Sequence, residues 1–281
     1  MADKKFILSA DGFGASKAHN KAVLEGYNNG FLNSASICVN GKAFDIAVNE
    51  ILPECPNLSV GIQLNLTAGR SLTKSLLLTN KKNKFNNTFF TLLFKSNSSE
   101  FLEQAEVELR TQIETLSNYV SIDFITSVAS MHSIPNLFEI VAKLAKEYNI
   151  AYVRTHYEEV YFISSLRKHL NFRYPFNLIK MFLLNFFTLK NNRMIEKLGL
   201  KTNKYIIGVG YADMMDDCAV EQGLKNLEEN TLVEAVISPC RYAREIRNSH
   251  YKAFLITQNK SLEDKIKRLD FEITNYKKIN E

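Results

Sequence analysis

The chain has 281 residues, 46% of them hydrophobic and 19 of them phenylalanine, enough to bury a sizeable core without a disulfide scaffold. Its 35 basic and 30 acidic residues leave a mild, scattered positive charge. No RNP-like, helix-turn-helix or zinc-finger spacing accompanies that charge, so no nucleic-acid partner is expected.

The first informative stretch is Phe6-Ile7-Leu8-Ser9-Ala10-Asp11-Gly12-Phe13-Gly14. An apolar run meets an acid and two glycines, and a helical pattern starts at Ser16, which reads as strand, tight turn, helix. An acid at the carboxyl end of a first parallel strand faces the ligand crevice of most α/β folds. Asp11 is therefore either a ligand-facing acid or a turn residue.

Further strand-like runs follow at residues 34–39, 58–66, 122–127, 151–154, 205–209, 232–237 and 271–274. Helix-period stretches at 16–29, 100–119, 135–148 and 217–229 separate many of them. Alternation of this kind predicts an α/β fold, a TIM-like (β/α) barrel of about seven or eight βα units, complete or incomplete. Only five prolines and no Pro-rich or Gly/Ser-rich tract interrupt it, so residues 1–281 read as one domain with insertions at about 67–99 and 157–201. Cys38, Cys55, Cys218 and Cys240 lack CxxC spacing, and the apolar run after Lys4 and Lys5 is too short for a signal core. Both features predict a cytoplasmic protein with reduced thiols.

The second insertion carries an apolar stretch at 176–189, flanked by Lys168, Arg173, Lys190, Arg193 and Lys197. A bilayer span needs about 20 apolar residues, more than this stretch offers. The pattern fits a buried lid, a homodimer-contact helix or a membrane-surface helix, the last implying peripheral membrane contact.

Several ordered blocks together resemble the YdjC-like (ChbG/HpnK) carbohydrate deacetylase family. Residues 9–14 with Asn20 and Gly30 are similar to its ADDFG block, and residues 60–67 with Gly69 to its GLHLNLT block. His132, Pro135, Arg154 and Glu158 follow its HxHxHxxP block and the next strand; residues 234–240 stand at its E-x-x-x-HPG segment; Arg247, Tyr251, Leu255 and residues 271–276 match its closing helix and strand. The resemblance implies removal of an acetyl group from an N-acetylated sugar by a divalent metal held by one Asp and two His, with an acid as base and a His as proton donor.

Under that resemblance Asp11 is the candidate base. The metal positions are filled by Gly12, Gln63 and Val128, and the His of the HPG segment is Ser238. Losing even an outer partner of a metal ligand costs about 10 to 100-fold in affinity, and three direct ligands cost more. No metal is expected at these positions, and a divalent ion such as zinc or magnesium enters only if another donor set exists, for example around His156, Asp213, Asp216 and Asp217.

Among the remaining candidates, Gln63 and Asn65 stand two apart on a strand and share a face that suits a sugar. Arg154 is either a clamp for an anionic substrate group or a structural ion pair with Glu158 or another acid. His132 is either the surviving catalytic histidine or a packed core residue. Ser238 and Cys240 have no His motif beside them that would activate a nucleophile. The expectation is a pseudoenzyme: a deacetylase-like protein that binds an N-acetylated amino sugar or glycan precursor, its hydrolytic site lost or repurposed. The alternatives are an active deacetylase with an altered metal site and a membrane-surface scaffold.

Overall fold

The computed structural model describes residues 3–163, 173–225, 227–241 and 249–280. Strand β1 (Lys4–Phe13) is buried along nearly its whole length, as a central parallel strand must be, because helices cover one face and the barrel interior the other. Its even-numbered Phe6, Leu8 and Ala10 join the large core under the helices. Ile7 points the other way, into a small interior cluster with Phe124, Tyr152 and Tyr276. Period-two alternation thus assigns Ser9 and Asp11 to the interior as well.

The other strands are β2 (Ser34–Ile37), β3 (Ser59–Leu64), β4 (Phe124–Ser127), β5 (Tyr152–Val153), β6 (Tyr205–Ile207), β7 (Thr231–Ile237) and β8 (Phe271–Ile273). They form one sheet in the order β5-β4-β3-β2-β1-β7-β6, with β8 added beside the start of β1. Every pairing is parallel. No ladder joins β5 to β6 among the described residues. Irregular backbone bonds cross there instead, Val153 N–H to the Lys201 carbonyl at 3.0 Å and Ile206 N–H to Tyr157 at 2.9 Å. The result is an incomplete α/β barrel.

The main helices are α1 (Lys17–Asn29), α2 (Phe89–Lys95), α3 (Ser99–Ser117), α4 (Pro135–Glu147), α5 (Tyr174–Leu198), α6 (Asp217–Leu224), α7 (Ser249–Thr257), α8 (Lys260–Arg268) and α9 (Tyr276–Asn280). Ser16 caps α1 by accepting from the His19 N–H, satisfying one of the orphan donors of a helix start. Residues 44–54 form a short α, π and 3-10 succession that no simple period announces.

Several boundaries differ from the sequence pattern, β3, β4 and β6 among them, each being shorter than its run. β2 stops at Ile37, not at residue 39. β5 is only two residues long because Thr155 N–H turns aside to the Asn203 side chain. α6 ends at Leu224 rather than running to 229, since Lys225 is extended and the chain must return Leu227 to the core. Helix α5 lies in the later part of 157–201 and ends at Gly199, whose φ of 64° suits a left-handed cap. It buries Met181, Leu184, Phe187 and Ile195, packs against α4, and leaves its opposite face exposed.

Candidate ligand site at the carboxyl ends of the strands

The barrel interior is layered by the same alternation. At the amino end, Phe124 stacks on Tyr276 with ring centres 4.5 Å apart. One layer higher the interior turns polar around Arg154, whose side chain is 1% exposed. Its guanidinium carries five N–H groups, and each has a partner. Nε and Nη2 grip Glu234 at 2.8 and 2.6 Å; Nη2 also reaches Ser9 at 3.1 Å; Nη1 donates to Thr126 at 2.5 Å and to both Asp11 oxygens at 3.0 and 3.1 Å. Tyr276 adds its hydroxyl to Glu234 Oε2 at 2.7 Å, and Ser36 donates to Asp11 at 2.9 Å.

The ion-pair partners of Arg154 are Asp11 and Glu234. Glu158 is engaged elsewhere, accepting the N–H groups of Gly208, Val209 and Gly210 at 2.7, 3.0 and 2.6 Å. Burial opposes the charge of Arg154, yet the fields of Asp11 and Glu234 outweigh it and raise its pKa. For Asp11 burial dominates and raises the carboxyl pKa despite the opposing pull of Arg154, with the charge of Glu234 adding to the rise. Burial likewise lifts Glu158 to about 7, its backbone donors offsetting only part of the effect.

Above the network lies a cavity of about 290 Å³, bounded among others by Asp11, Gln63, His156, Lys180, Ser238 and His250. Its rim includes the loop Val128–Ser133, where Ala129 and Ser130 both have positive φ, 55° and 58°. Two successive left-handed residues with side chains cost about 1–2 kcal/mol each, a strain of the kind that collects at functional sites. Lys180, on α5, donates to the Ala129 carbonyl at 3.0 Å, and burial lowers its pKa to about 8 against the pull of Asp213.

Gln63 borders the cavity, and its Oε1 accepts the Gly12 N–H at 3.1 Å. Asn65 follows the last residue of β3 and does not border the cavity; it braces the loop behind by bonding Asn40, Thr67 and Ala68. His132 is fully buried. The Arg154 carbonyl can only accept, so its bond at 2.8 Å places the ring proton on Nε2, while Nδ1 accepts from Ser127 at 2.5 Å. Neither ring nitrogen remains for a substrate. Desolvation lowers its pKa to about 4.

His156 bonds Ser133 through Nδ1 at 2.7 Å, and burial first, then the neighbouring charges, hold its pKa well below the ordinary value. Asp216 caps α6 by accepting the Ala219 N–H, and Asp213 pairs with Arg173. Asp216, Asp217 and Cys218 form the one acidic and thiol cluster of metal-like spacing among the described residues, and its place is a helix N-terminus, where acids are favoured. Cys240 is fully buried.

The donor set does not fit a divalent ion at the positions that the resemblance implies. Gly12 offers no side chain, Val128 only methyls, and the Gln63 oxygen already faces an N–H. Both Asp11 oxygens lie against Arg154, whose positive charge repels a cation. His19 and His250, which carry no sequence pattern and are expected at the surface, are instead half-buried beside this spot. A Cβ on Gly12 would lie 3.1 Å from His19 Cδ2 and 3.7 Å from Ser238 Oγ, and the two imidazole centres are 6.1 Å apart. His169 and Arg247 lie outside the described residues.

An α/β barrel with a polar cavity at the carboxyl ends of its strands is an architecture that places ligands in that mouth. Among such proteins, the chain belongs to the YdjC-like protein family, whose model matches residues 5–273. A carbohydrate deacetylase of Clostridium beijerinckii is 38% identical over 149 residues, 52% of this chain and 58% of that protein. Carbohydrate deacetylase 1 of Listeria innocua is 34% identical over 154 residues, 54% of this chain and 61% of its own. The aligned stretch therefore spans only about three fifths of these curated relatives. A crystal structure from Enterococcus faecalis, named for cellobiose-phosphate cleavage, covers 99% of both chains with a TM-score of 0.75 at 16% identity, a likeness of fold.

Glu234 is the residue that pattern reading undervalued. It interrupts an otherwise apolar strand, and a lone acid there needs a buried partner. Lys180 carries the same signal, a single cation inside an apolar helical run.

Proposed function

We propose that this chain is a carbohydrate deacetylase-like protein that binds an N-acetylated amino sugar, or a glycan precursor carrying one, and has lost or repurposed the family's metal-dependent hydrolysis. One observation carries the reading: Asp11 is ion-paired to Arg154 at 3.0 Å while three neighbouring metal positions hold Gly12, Gln63 and Val128. The cavity suits such a ligand. Ser130, Ser238, Asn177 and Lys180 offer polar contacts to hydroxyls and the acetamide, and Val128, Val209 and Ile237 offer apolar surface to the sugar face and the methyl group.

The test is elemental analysis of protein purified without chelator, then an acetate assay on N-acetylglucosamine oligomers with added zinc, cobalt or magnesium. Binding without acetate release supports the reading; stoichiometric metal with turnover overturns it. The second reading, an active deacetylase with an altered donor set, draws on the half-buried imidazoles of His19 and His250 beside Gly12. Calorimetric titration of the oligomers into wild type and Lys180→Met separates pocket binding from surface adsorption, because only the former weakens in the variant.

A further inference from the structure

Helix α5 has two working faces. One packs on α4 and supplies Asn177 and Lys180 to the cavity. The other carries Phe176, Ile179, Phe182, Phe186 and Leu189, which are between 57% and 69% exposed. Their spacing of three, three, four and three puts them on one stripe, about 20 Å long at the helical rise. Continuing by the same spacing, Arg193 and Lys197 extend that stripe toward the carboxyl end, with Lys190 beside it, and all three are exposed.

The first insertion contributes a similar surface. Helix α2 exposes Phe90 and Phe94, 53% and 76%. Helices α2 and α5 both pack against the loop Val128–Ser133, whose residues border the cavity, and Lys180 Nζ lies 5.2 Å from the ring centre of Phe89. Both helices that carry exposed apolar side chains are thus anchored on one loop, whereas most large side chains exposed on a surface stand singly.

We propose that this face, the outer stripe of α5 with Phe90 and Phe94 of α2, docks on an anionic lipid surface. Charge selects that occupant. Among Tyr174–Leu198 the basic residues are Lys180, Lys190, Arg193 and Lys197, and the single acid is Glu196. A second copy of the chain is a poorer match: parallel pairing sets these cations against each other, and antiparallel pairing turns them toward Arg173 and Asp213, which already satisfy one another at 2.7 Å. Anionic headgroups answer the basic end while the phenylalanines enter the headgroup and acyl boundary. No helix of the described residues is long and apolar enough to cross a membrane, so α5 lies on the surface. The inference does not depend on what the cavity holds.

The test is flotation of the full chain with vesicles of phosphatidylcholine alone and of phosphatidylcholine mixed with phosphatidylglycerol, at low and high salt. The chain is expected to float with the anionic vesicles and to be released by salt. Phe182→Ser with Phe186→Ser should lower partitioning by roughly tenfold per side chain, and Lys190→Glu with Arg193→Glu should abolish the preference for anionic lipid. All four side chains are exposed, so folding is expected to persist, with circular dichroism as the check. Absence from the anionic fraction overturns the proposal, as does flotation unchanged in the serine variant. Sedimentation equilibrium showing a dimer that the same serine substitutions dissolve, without vesicle binding, assigns the face to a second copy and also overturns it.

Discussion

Arg154 and Glu234 stand 80 residues apart in the chain and meet inside the barrel through two parallel hydrogen bonds of 2.8 and 2.6 Å. Both side chains are almost wholly buried, so each depends on the other for compensation. Breaking a buried pair by removing one partner costs about 3–5 kcal/mol, because no water replaces what the remaining charge loses. Glu234→Leu is expected at the low end of that range in urea denaturation, since Asp11 still faces Arg154, and Arg154→Met within it. The double variant should cost less than the sum. Strict additivity would mean that the two residues do not act as a pair.

Placing at position 12 the acid that the ADDFG resemblance implies should be costly by itself. Gly12 has φ of 92°, and a Cβ there would crowd His19 at 3.1 Å, so Gly12→Asp is expected to destabilise by about 1–3 kcal/mol. Adding His19→Ala should relieve the crowding and leave the backbone part. Equal urea midpoints for wild type and Gly12→Asp would show that the turn after β1 relaxes freely. The fuller restoration, with Gln63→His and Val128→His, also removes the acceptor that Gly12 N–H now uses, so its stability must be measured before its acetate release is interpreted.

Much of this architecture is legible in the residues. All eight strands stand at runs that the pattern marks, although β2 alternates Ser34 and Ser36 with Ala35 and Ile37, and β1 turns polar inward at Ser9 and Asp11, where the barrel interior holds Arg154. Pro135 and Ser16 mark helix starts for equally local reasons. The network around Arg154 is different. Asp11 lies 143 residues away and Glu234 lies 80 away, and nothing local to Arg154 distinguishes these acids from the adjacent Glu158. Only β-strand order decides, by bringing β1 and β7 side by side opposite β5. The site of His19 and His250 was hidden in the same way, since each ring is defined by a neighbour from the far end of the chain.

Acid should weaken the fold through His132. Burial depresses its folded pKa to about 4, below the unfolded value near 6.5. The unfolded chain therefore takes up the proton first, so the stabilisation is complete above about pH 6.5 and is lost as pH falls toward 4, about 3 kcal/mol in all. Glu158 acts with the opposite sign. Its folded pKa, raised to about 7, gives a contribution that is present in acid and disappears as pH rises from about 4.5 to 7. Wild-type stability alone mixes these with other buried groups whose pKa values are shifted, Asp11 and His156 among them. The difference in stability between wild type and His132→Gln isolates the histidine and should shrink by about 3 kcal/mol from pH 7 to pH 4. A constant difference in urea titrations across that range would show that His132 does not titrate in this way.

Gly61 stands in the middle of β3. A Cβ there would lie 2.4 to 2.6 Å from three ring atoms of Phe124, closer than any real contact allows. The ring cannot retreat cheaply, since it is stacked on Tyr276 at 4.5 Å, and Tyr276 in turn holds Glu234 through its hydroxyl at 2.7 Å. Gly61→Ala should therefore overpack the interior by about 1–3 kcal/mol and disturb the anchoring of Glu234, lowering the denaturation midpoint. Phe124→Leu in the same background should recover part of the loss by making room for the methyl group. If Phe124→Leu lowers stability further by its full single-variant cost, the strain sits elsewhere and the glycine is held by the backbone of β3 rather than by the aromatic ring facing it.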